Sequence, residues 1–396
     1  MTRLIEILIS FAIVAALMLI IGMVLPSSRS LTESAETNRK TTIVFDTLNS
    51  LRRFKDWNPL ILRAPTAELQ LSGPPAGVGA KLTYTSDVQR VGSGDWEITE
   101  SVPGKSVKYA LDNPDRGSNK TMEFTLKPTG RGNIKRNVQI SQRYSVDYGW
   151  DLIGRYAGLY IKSHVGDDMK LGLSRLTNML ATVPNVDYAV EGSKMRGMTE
   201  EQRPAEDLLI VKAGAVERDN DTIKTSMKSN LEWINRTMAA NGLVAAGPLR
   251  IISTELGRET YTFDLAQPVR KAGNGEKAPE AAALEDVAET AATPAADAAA
   301  MPVADALTPV TAAGTPLAVT IPPGAPVEYL QTKAGHAAVA YYTGFMAELD
   351  NVRNALRAWS LTQGYEVVDR PYEVYKSGID KAFTEGGEYE VYWTLK

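Results

Sequence analysis

The most pronounced hydrophobic pattern is an uninterrupted apolar run near the start of the chain. Residues 7–25, ILISFAIVAALMLIIGMVL, contain no charged side chain, and a helix needs about 20 apolar residues to cross the hydrocarbon core of a bilayer. A cleaved signal peptide has a shorter apolar region, about 7 to 15 residues, followed by a small-x-small site, which the sequence VLPSSRSLTES lacks. The pattern predicts an uncleaved transmembrane anchor at residues 4–25, with a cleaved signal peptide as the alternative.

Charges on the two sides of this run favour one orientation. Arg3 precedes the run, and the residues that follow carry both signs, namely Arg29, Glu33, Glu36, Arg39 and Lys40. Because Lys and Arg bias their side of a span toward the cytoplasm, and the basic residues after the run are diluted by acidic ones, we expect the amino terminus inside. The sequence then predicts a single-pass protein of the inner (cytoplasmic) membrane with its domains in the periplasm.

Two kinds of periodicity follow the apolar run. The segment TTIVFDTLNSLRRF places its apolar residues on one helical stripe, and residues 149–183 do the same with Met169, Leu173, Leu176, Leu180 and Val183. Between them, apolar residues alternate with period two, which predicts antiparallel strands with one buried face, at Val107, Tyr109 and Leu111, at Met122, Phe124 and Leu126, and at Val138 and Ile140. The turn sequences VPGK, NPDRGSN and PTGRGN favour hairpins between these strands.

A helix, a run of strands and a long terminal helix predict an α+β fold in which a curved antiparallel sheet wraps a helix and encloses a cavity. Residues 28–185 resemble the START-related polyketide cyclase/dehydratase-like superfamily (SRPBCC). The resemblance is carried, in this order, by VFDTLNSLRRFKDWNPLI, GVGAKLTY, VGSGDWEITESVPGKSVKYAL and GLSRLTNML. It implies a helix-grip domain with Trp57 and Asn58 at the mouth of its cavity. Asn58 either donates to a ligand carbonyl or ends a helix in an Asn-Pro turn.

The composition of the chain changes abruptly at residue 270. Residues 270–326 are rich in Ala and Pro with scattered acidic residues. Such a segment has few large apolar side chains to bury, so it cannot offset the entropy of ordering. We expect residues 270–326 to form a disordered insertion.

The insertion separates two segments that look alike. IVKAGAV at residues 210–216 recurs as QTKAGHA at residues 331–337, and the interval from Gly214 to Gly242 matches that from Gly335 to Gly364 within one residue. Each copy predicts a strand, a helix and two strands. We therefore predict two βαββ repeats, residues 207–269 and 327–396, related by a pseudo-twofold axis, with a groove between them that suits a small molecule.

Residues 205–396 resemble the gyrase-inhibitor-like or AraC effector-binding domain. The best-matching piece is LRAWSLTQGYEVVDRPYEVY. In that family the glutamate of this strand contacts a cationic or polarised ligand, which implies the same role for Glu373. The first copy carries Arg250 or Ile251 at the equivalent place, so only one half of the groove would be acidic.

A carboxylate in a water-poor aromatic groove attracts organic cations, and the faces of Tyr and Trp add cation–π attraction. The candidate aromatic walls around Glu373 are Tyr341, Tyr342, Trp359, Tyr375 and Trp393. The alternative is that Glu373 is an exposed strand residue and that these aromatic side chains belong to an ordinary core.

The residue inventory argues against several other functions. The chain has no Cys, and its two His, His164 and His336, fall in different predicted domains. This excludes thiolate chemistry and disulfides and disfavours both a Ser-His-Asp arrangement and a Cys/His metal site. The formal net charge is −4 and its signs are mixed along the chain, so no basic face for nucleic acid is predicted. We predict no catalytic residue, no metal and no cofactor.

The sequence therefore predicts a membrane-anchored protein that binds a hydrophobic or amphipathic small molecule, cationic in the second domain. An enzyme of the cyclase or hydrolase kind is an alternative, with Glu373 and Tyr375 as general base and acid on one strand face. A non-catalytic interaction module of the cell envelope is a third interpretation. The sequence identifies no protein partner.

Overall fold

The structure is a computed structural model that describes residues 2–89, 91–131, 134–190, 194–256, 259–273, 276 and 314–396. The chain divides into two units, Met1–Asp187 with Thr362–Gly364, and Tyr188–Leu361 with Tyr365–Lys396. Each unit has its own antiparallel sheet. The fold is thus of the mixed α+β class that the sequence predicts.

The first unit begins with helix α1 (Thr2–Val24). Within it, Arg3–Val24 has the length and composition to cross a membrane, with a hydropathy of 3.0 and only 6% of the most apolar window buried. A signal sequence near the amino terminus meets the same criterion. Helix α1 is therefore weak evidence for a single membrane span.

Seven strands form the sheet of the first unit within the described residues. They are β1 (Ser28–Thr37), β2 (Glu68–Ser72), β3 (Lys81–Thr85), β4 (Ser93–Val102), β5 (Ser106–Asp112), β6 (Ser118–Arg131) and β7 (Ile134–Asp147). Their order is β1-β7-β6-β5-β4-β3-β2, and the paired strands are antiparallel. Hairpins link the strands from β2 to β7 in sequence order, and the turn sequences predict those from β4 to β7.

Helices connect and close this sheet. Three short helices, α2 (Thr41–Leu48), α3 (Phe54–Trp57) and α4 (Leu60–Arg63), lie between β1 and β2. After β7 the chain forms α5 (Leu152–Ala157), a 3₁₀ turn (Gly158–Tyr160), a π-helical turn (Lys162–Gly166) and the long helix α6 (Asp167–Ala181). The predicted stripe of α6 is buried, because Met169, Leu173, Leu176 and Leu180 all point away from solvent.

Five aromatic side chains form a closed ring of edge-to-face contacts in the core of this unit. Neighbouring ring centroids are 5.1 to 5.8 Å apart, in the order Phe54, Trp57, Phe124, Tyr109, Trp96 and back to Phe54. Such pairs contribute about 0.5–1.5 kcal/mol each beyond their buried area. The ring joins α3 to the inner face of the sheet.

The second unit is built on a larger sheet. Its strands are β8 (Met195–Arg203), β9 (Asp207–Glu217), β10 (Leu243–Ala245), β11 (Arg250–Leu256), β12 (Thr260–Lys271), β13 (Val327–Gln331), β14 (Gly335–Thr343), β15 (Val367–Tyr375) and β16 (Glu388–Leu395). Its helices are α7 (Asn220–Asn241), a 3₁₀ turn (Met346–Glu348), α8 (Leu349–Thr362) and α9 (Gly378–Ala382).

The strand order of this sheet is symmetric about its centre. It runs β13-β9-β12-β11-β15-β16-β14-β8, with β10 beside β12. From the central β11–β15 pair outward, one half has the order β11, β12, β9 and the other β15, β16, β14. In each half the second strand follows the first in the chain, and the third strand precedes the helix, α7 or α8. Strand β13 lies next to β9, and β8, which precedes the predicted domain start at residue 205, occupies the matching place next to β14.

The strand register assigns the equivalent positions of the two halves. Ile251 pairs with Glu373 at the centre. Toward one edge of the sheet, Ile251 pairs with Leu265, which pairs with Val211. Toward the other edge, Glu373 pairs with Val391, which pairs with Ala340.

The repeated KAG sequence is out of this register. Val211 and Ala340 are 129 positions apart, whereas Gly214 and Gly335 are 121 positions apart. The tripeptides are therefore displaced by eight residues. Helix α7 has 22 residues and α8 has 14, a difference of eight residues. This difference offsets the displacement of the tripeptides, so the Gly214–Gly242 and Gly335–Gly364 intervals agree in length. The agreement therefore does not reflect structural equivalence of the glycines.

Part of the predicted insertion packs against the second unit. Leu317, Val319, Ile321 and Ala325 contact its hydrophobic core, and the Leu317 amide donates to the Tyr329 hydroxyl at 2.9 Å. The expectation of a disordered insertion over residues 270–326 is thus wrong for residues 314–326. Residues 277–313 of that insertion lie outside the described part of the chain.

Candidate ligand-binding site

A cavity of about 160 Å³ lies in the first unit between the sheet and the helices that cover it. One wall comes from α3, α4 and the residues that join them, and the opposite wall from strands β3 to β7. The π-helical turn and the start of α6 complete the lining with Val165, Asp168 and Met169. The aromatic ring described above contributes Trp57 and Trp96 to this cavity.

Two buried polar atoms on the cavity wall have no hydrogen-bond partner among the described residues. They are Nε1 of Trp57, a side chain that is 2% exposed, and Oε1 of Gln142, which is 3% exposed. Nε2 of Gln142 lies 3.1 Å from Sδ of Met122, a weak acceptor. Exchanging the two ends of the amide would leave its nitrogen in the unpaired position instead. A buried unpaired polar atom costs about 1–3 kcal/mol, and both of these atoms belong to side chains that line the cavity.

Asn58 lines the same cavity but its side-chain oxygen is used locally. Oδ1 of Asn58 accepts a hydrogen bond from the Leu60 amide at 2.9 Å, and the side chain is 6% exposed. This is the helix-ending Asn-Pro turn that was one of the two interpretations from the sequence. Trp57 and Asn58 are both brought to the cavity, as predicted from the resemblance, and their contact with a ligand stays a prediction.

A charged pair lies on the cavity wall nearer to solvent. Nη2 of Arg63 is 2.5 Å from Oδ1 of Asp168, and both side chains are partly exposed. Burial raises the pKa of Asp168, and the positive charge of Arg63 opposes that shift. The wall therefore combines apolar side chains, among them Trp57, Trp96 and Met169, with charged and amide side chains.

In the second unit, Glu373 lies at a core position of the sheet. The row that crosses the sheet at this level consists of Val211, Leu265, Ile251, Glu373, Val391 and Ala340. Glu373 is the acid in this apolar row and is 0% exposed. The structure thus contradicts the alternative of an exposed strand residue. It also places Ile251, not Arg250, opposite Glu373.

The carboxylate of Glu373 is satisfied by side chains of the protein itself. Nε of Arg353 on α8 lies 2.6 Å from Oε1 of Glu373, and the Arg353 side chain is 10% exposed. The Ser253 hydroxyl donates to Oε2 at 3.1 Å and lies 2.8 Å from the Tyr261 hydroxyl. Residues of both halves of the sheet therefore meet at this carboxylate.

Burial of Glu373 and its contacts with Arg353 and Ser253 shift its pKa in opposite directions. Burial raises the pKa of Glu373, while the Arg353 charge and the Ser253 hydrogen bond act to lower it. Burial also raises the pKa of Tyr375 well above its usual value. Because Arg353 neutralises Glu373 at contact distance, the pair presents no net charge to the surrounding core.

The structure brings together some of the predicted aromatic walls and separates others. Tyr375 and Tyr342 are buried and both contact the ring of Tyr389, which the sequence reasoning did not single out. Tyr341 lies on the opposite face of β14, 37% exposed, and its hydroxyl donates to Glu201 at 2.9 Å. Tyr341 is therefore not a wall around Glu373, because successive strand residues point to opposite faces.

The two predicted tryptophans lie at the margin of the same core. Trp359 and Trp393 are partly buried and pack against it. Nε1 of Trp393 donates to the Asp369 carbonyl at 3.2 Å, and the Arg357 guanidinium lies 5.9 Å from its ring centroid. The important residues missed from the sequence, Arg353, Ser253 and Tyr261, come from three separate elements, and no local pattern joins them.

The other face of this sheet carries a second polar cluster. Arg250 makes two hydrogen bonds to the Glu206 carboxylate, at 2.6 and 2.8 Å, and its guanidinium lies 5.3 Å from the Tyr372 ring centroid. Tyr372 stacks on Tyr392, and Arg203 lies 4.6 Å from the Tyr392 centroid. Burial raises the pKa of Glu206, but Arg250 and Arg203 outweigh this and hold it below its usual value.

Among the described residues, no group of three or more His, Asp or Glu side chains is arranged to hold a metal ion.

The Glu373–Arg353 pair predicts a specific pattern of stability. Glu373→Leu or Arg353→Leu alone leaves a buried charge without its partner and should cost about 3–5 kcal/mol. The double variant Glu373→Leu/Arg353→Leu should recover most of that loss, because no buried charge remains. Urea unfolding of the full chain measures all three, and additive losses in the double variant would show that the two side chains are not coupled.

The Glu206–Arg250 pair predicts a loss of stability in acid. The pKa of Glu206 is below its usual 4.5 in the folded protein, so its contribution is complete above pH 4.5 and is lost as the pH falls through the lowered value. We expect Glu206→Gln to reduce the difference in unfolding free energy between neutral pH and about pH 3. An unchanged difference would assign the acid sensitivity to other carboxylates.

Comparison with known families matches the first unit. Residues 28–180 match the family model described as polyketide cyclase / dehydrase and lipid transport. No curated protein matches the chain. The family model does not extend into the second unit.

Several solved structures resemble parts of the chain at low scores. A protein from Thermobifida fusca is 17% identical, with 38% of this chain and 93% of that chain covered and a TM-score of 0.29. Protein Ms6760 from Mycobacterium smegmatis is 14% identical, with 40% and 98% covered and a TM-score of 0.29. The carboxyl-terminal domain of EcmrR is 13% identical, with 50% and 97% covered and a TM-score of 0.32.

The order of strands and helices, the cavity and the family match all concern the same residues. The curved sheet from β1 to β7 and the long helix α6 are the parts that the family model spans. Residues 28–180 have the SRPBCC-type fold of the polyketide cyclase / dehydrase family model that they match.

Proposed function

We propose that the chain is a membrane-anchored binding protein for a hydrophobic or amphipathic small molecule, held in the cavity of residues 28–180. The observation that supports this most directly is the pair of unpaired polar atoms, Nε1 of Trp57 and Oε1 of Gln142, in side chains that line the cavity. Protein interiors rarely leave such atoms without a partner. A ligand or an ordered water supplies the partner in comparable sites.

The two atoms also indicate the chemistry of the ligand. The Trp57 N–H requires an acceptor, and the Gln142 amide requires a donor for its oxygen or, with its two ends exchanged, an acceptor for its nitrogen. A hydroxyl, a carboxylic acid or an amide provides both. A volume of about 160 Å³ is close to that of a cavity that holds one benzene-sized group. The ligand portion that enters is therefore a small apolar group with one hydrogen-bonding function.

The anchoring part of the proposal rests on helix α1. Its exposed side chains are almost all apolar, including Leu4, Ile7, Phe11 and Leu17, and water around them would be unfavourable. A single span at residues 4–25 would bury them in lipid. The proposed location is the inner membrane with the two units in the periplasm, which follows the distribution of basic residues around α1.

Binding is favoured over catalysis in the second unit. Glu373 and Tyr375 share a strand face, as the enzyme alternative requires, but they are 0% and 2% exposed. A general base must come within hydrogen-bond reach of its substrate. Glu373 instead contacts Arg353, and the Tyr375 hydroxyl lies 3.7 Å from Sδ of Met346. This arrangement suits a structural or ligand-responsive acid better than a catalytic one.

A second ligand site at Glu373 is the other candidate function, in line with the resemblance to effector-binding domains. The symmetric strand order with a buried acid at its centre favours it. Arg353 already supplies a counter-charge, so a cationic ligand would have to replace that guanidinium. A non-catalytic interaction module remains the third interpretation, for a cavity filled only by its own side chains.

The cavity proposal predicts a co-purified ligand and a dependence on Gln142. Native mass spectrometry of the full chain, released from detergent, should show a bound molecule. Gln142→Leu removes the polar atoms at nearly constant volume and should weaken binding of that molecule by about tenfold, since a lost hydrogen bond costs on the order of 1 kcal/mol. The matched control is Gln139→Leu, on the same strand but the opposite face.

One outcome would contradict the cavity proposal, and another would support the enzyme alternative in the second unit. If Gln142→Leu and Gln139→Leu retain the ligand equally, the ligand does not bind through Gln142 on this cavity wall. Turnover of activated esters that Glu373→Gln abolishes would instead support the enzyme alternative.

The second-site candidate predicts a gain of cation binding when the internal counter-ion is removed. Arg353→Met leaves the Glu373 carboxylate without its charge partner. We expect tetraphenylphosphonium to raise the unfolding temperature of this variant more than that of the wild type, because the probe binds the folded state. The double variant Arg353→Met/Glu373→Gln is the control, and an equal response of both variants would rule out Glu373 as the cation's partner.

A further inference from the structure

The carboxyl-terminal end of α1 is packed directly against α5. Gly22 is buried, and a Cβ atom at this position would come within 3.3 Å of Cβ of Leu152 and of the Tyr156 ring. A glycine at this point allows the two helices to approach closely. The relation between α1 and α5 is thus built into the packing of the first unit.

Arg155 attaches α5 to the end of α1. Its Nη1 donates to the carbonyls of Gly22, Met23 and Leu25 at 3.0 to 3.3 Å, and its Nε donates to the Gly149 carbonyl at 2.9 Å. The last carbonyls of a helix have no partner within the helix and carry partial negative charge. An Arg that is 7% exposed therefore satisfies the terminal carbonyls that would otherwise face the membrane boundary.

Tyr156 sets the depth of α5 along α1. Its hydroxyl donates to the Met18 carbonyl at 2.6 Å. Met18 precedes Val24 by six residues, which corresponds to about 9 Å of helix. Helix α5 therefore lies alongside the last two turns of α1 and not beyond its end. If those turns lie in lipid, α5 lies at the boundary between head groups and acyl chains.

The outward surface next to this contact is apolar and aromatic. Trp150 is 83% exposed, Ile153 64%, Leu159 51% and Tyr160 65%. We call these four residues the α5 patch. Trp and Tyr are enriched at membrane–water interfaces because their rings are apolar and their polar ends can reach water. Exposed Lys162 follows the patch and can contact lipid phosphate.

The charges around the patch do not oppose burial in an interface. Arg155 is turned inward to the α1 carbonyls and lies 5.7 Å from the Trp150 ring centroid. Asp151 caps α5 by accepting from the Gly154 amide at 2.9 Å and is paired with Arg116 at 3.1 Å. The acidic residue of this segment is thus neutralised.

We propose that the α5 patch lies in the lipid–water interface of the same membrane that α1 spans, so that the first unit is held flat on the bilayer and not on a free tether. This inference rests on the proposed span of α1. Continuity with α1 identifies the occupant as lipid, because a surface alongside the last turns of a membrane helix faces the acyl and head-group region. Arg116 belongs to the loop whose residues Asn113 and Asp115 line the cavity, so the same contact ties the cavity wall to the membrane surface.

The absence of Cys in the chain allows a direct test with single labels. In the full chain reconstituted in phosphatidylcholine/phosphatidylglycerol vesicles, Ile153→Cys carries an NBD fluorophore, and lipids with nitroxides at shallow and deep positions quench it. Ala16→Cys, in the middle of α1, reports the span. Leu71→Cys is an exposed control on β2, at the edge of the sheet farthest from β1.

We expect the Ile153 label to lose fluorescence to shallow nitroxides, the Ala16 label to deep ones, and the Leu71 label to neither. Quenching at Ala16 with Ile153 as unquenched as Leu71 would overturn this inference and leave the anchor intact. No quenching at Ala16 would overturn the proposed anchor and this inference with it. Tyr160→Cys repeats the measurement at a second exposed position of the patch, so that a folding defect at Ile153 does not decide the result.

Discussion

The structure depends throughout on one constraint, that a polar group removed from water needs a partner. Three places in the chain meet this constraint in different ways. In the second unit, Glu373 is satisfied within the protein by Arg353 and Ser253. At the end of α1, the guanidinium of Arg155 satisfies the terminal carbonyls. In the first unit, Trp57 and Gln142 lack partners among the described residues, and the ligand we propose would supply them.

The two units differ in how their buried polar groups are paired. The first has a cavity, unpaired polar atoms in two lining side chains and a match to the polyketide cyclase / dehydrase and lipid transport family model. The second has a buried acid, Glu373, in contact with Arg353 and Ser253 at the centre of a symmetric sheet. A buried ion pair of this kind contributes little net stability, because desolvation offsets the attraction, but its loss on one side is costly. Such a pair can therefore favour one arrangement of the two halves of the sheet over others. A cation that replaced Arg353 beside Glu373 would change that preference.

The anchor and the cavity are connected through a short path in the first unit. Helix α1 contacts α5, the α5 cap Asp151 is paired with Arg116, and the loop of Arg116 lines the cavity. A ligand that is sparingly soluble in water partitions into a bilayer because its apolar surface leaves water there. A cavity wall held at the membrane surface would take up such a ligand with a short transfer through water. The α5 patch and the proposed ligand class are thus consistent with each other.

The sequence by itself determined the elements whose signal is local. The apolar run predicts α1, period-two alternation predicts β5, β6 and β7, and the stripe of Met169, Leu173, Leu176 and Leu180 predicts α6, because burial of one face imposes a period that is visible in any window of residues. Glu373 and Tyr375 also fall on one face, as alternation requires. The tertiary structure decided the rest. In the tertiary structure Arg353 is the partner of Glu373, Tyr341 lies on the opposite face of its strand, and the KAG match is eight residues out of register. Strand pairing and side-chain contacts join residues that are far apart in the chain, so no local periodicity in the sequence predicts them.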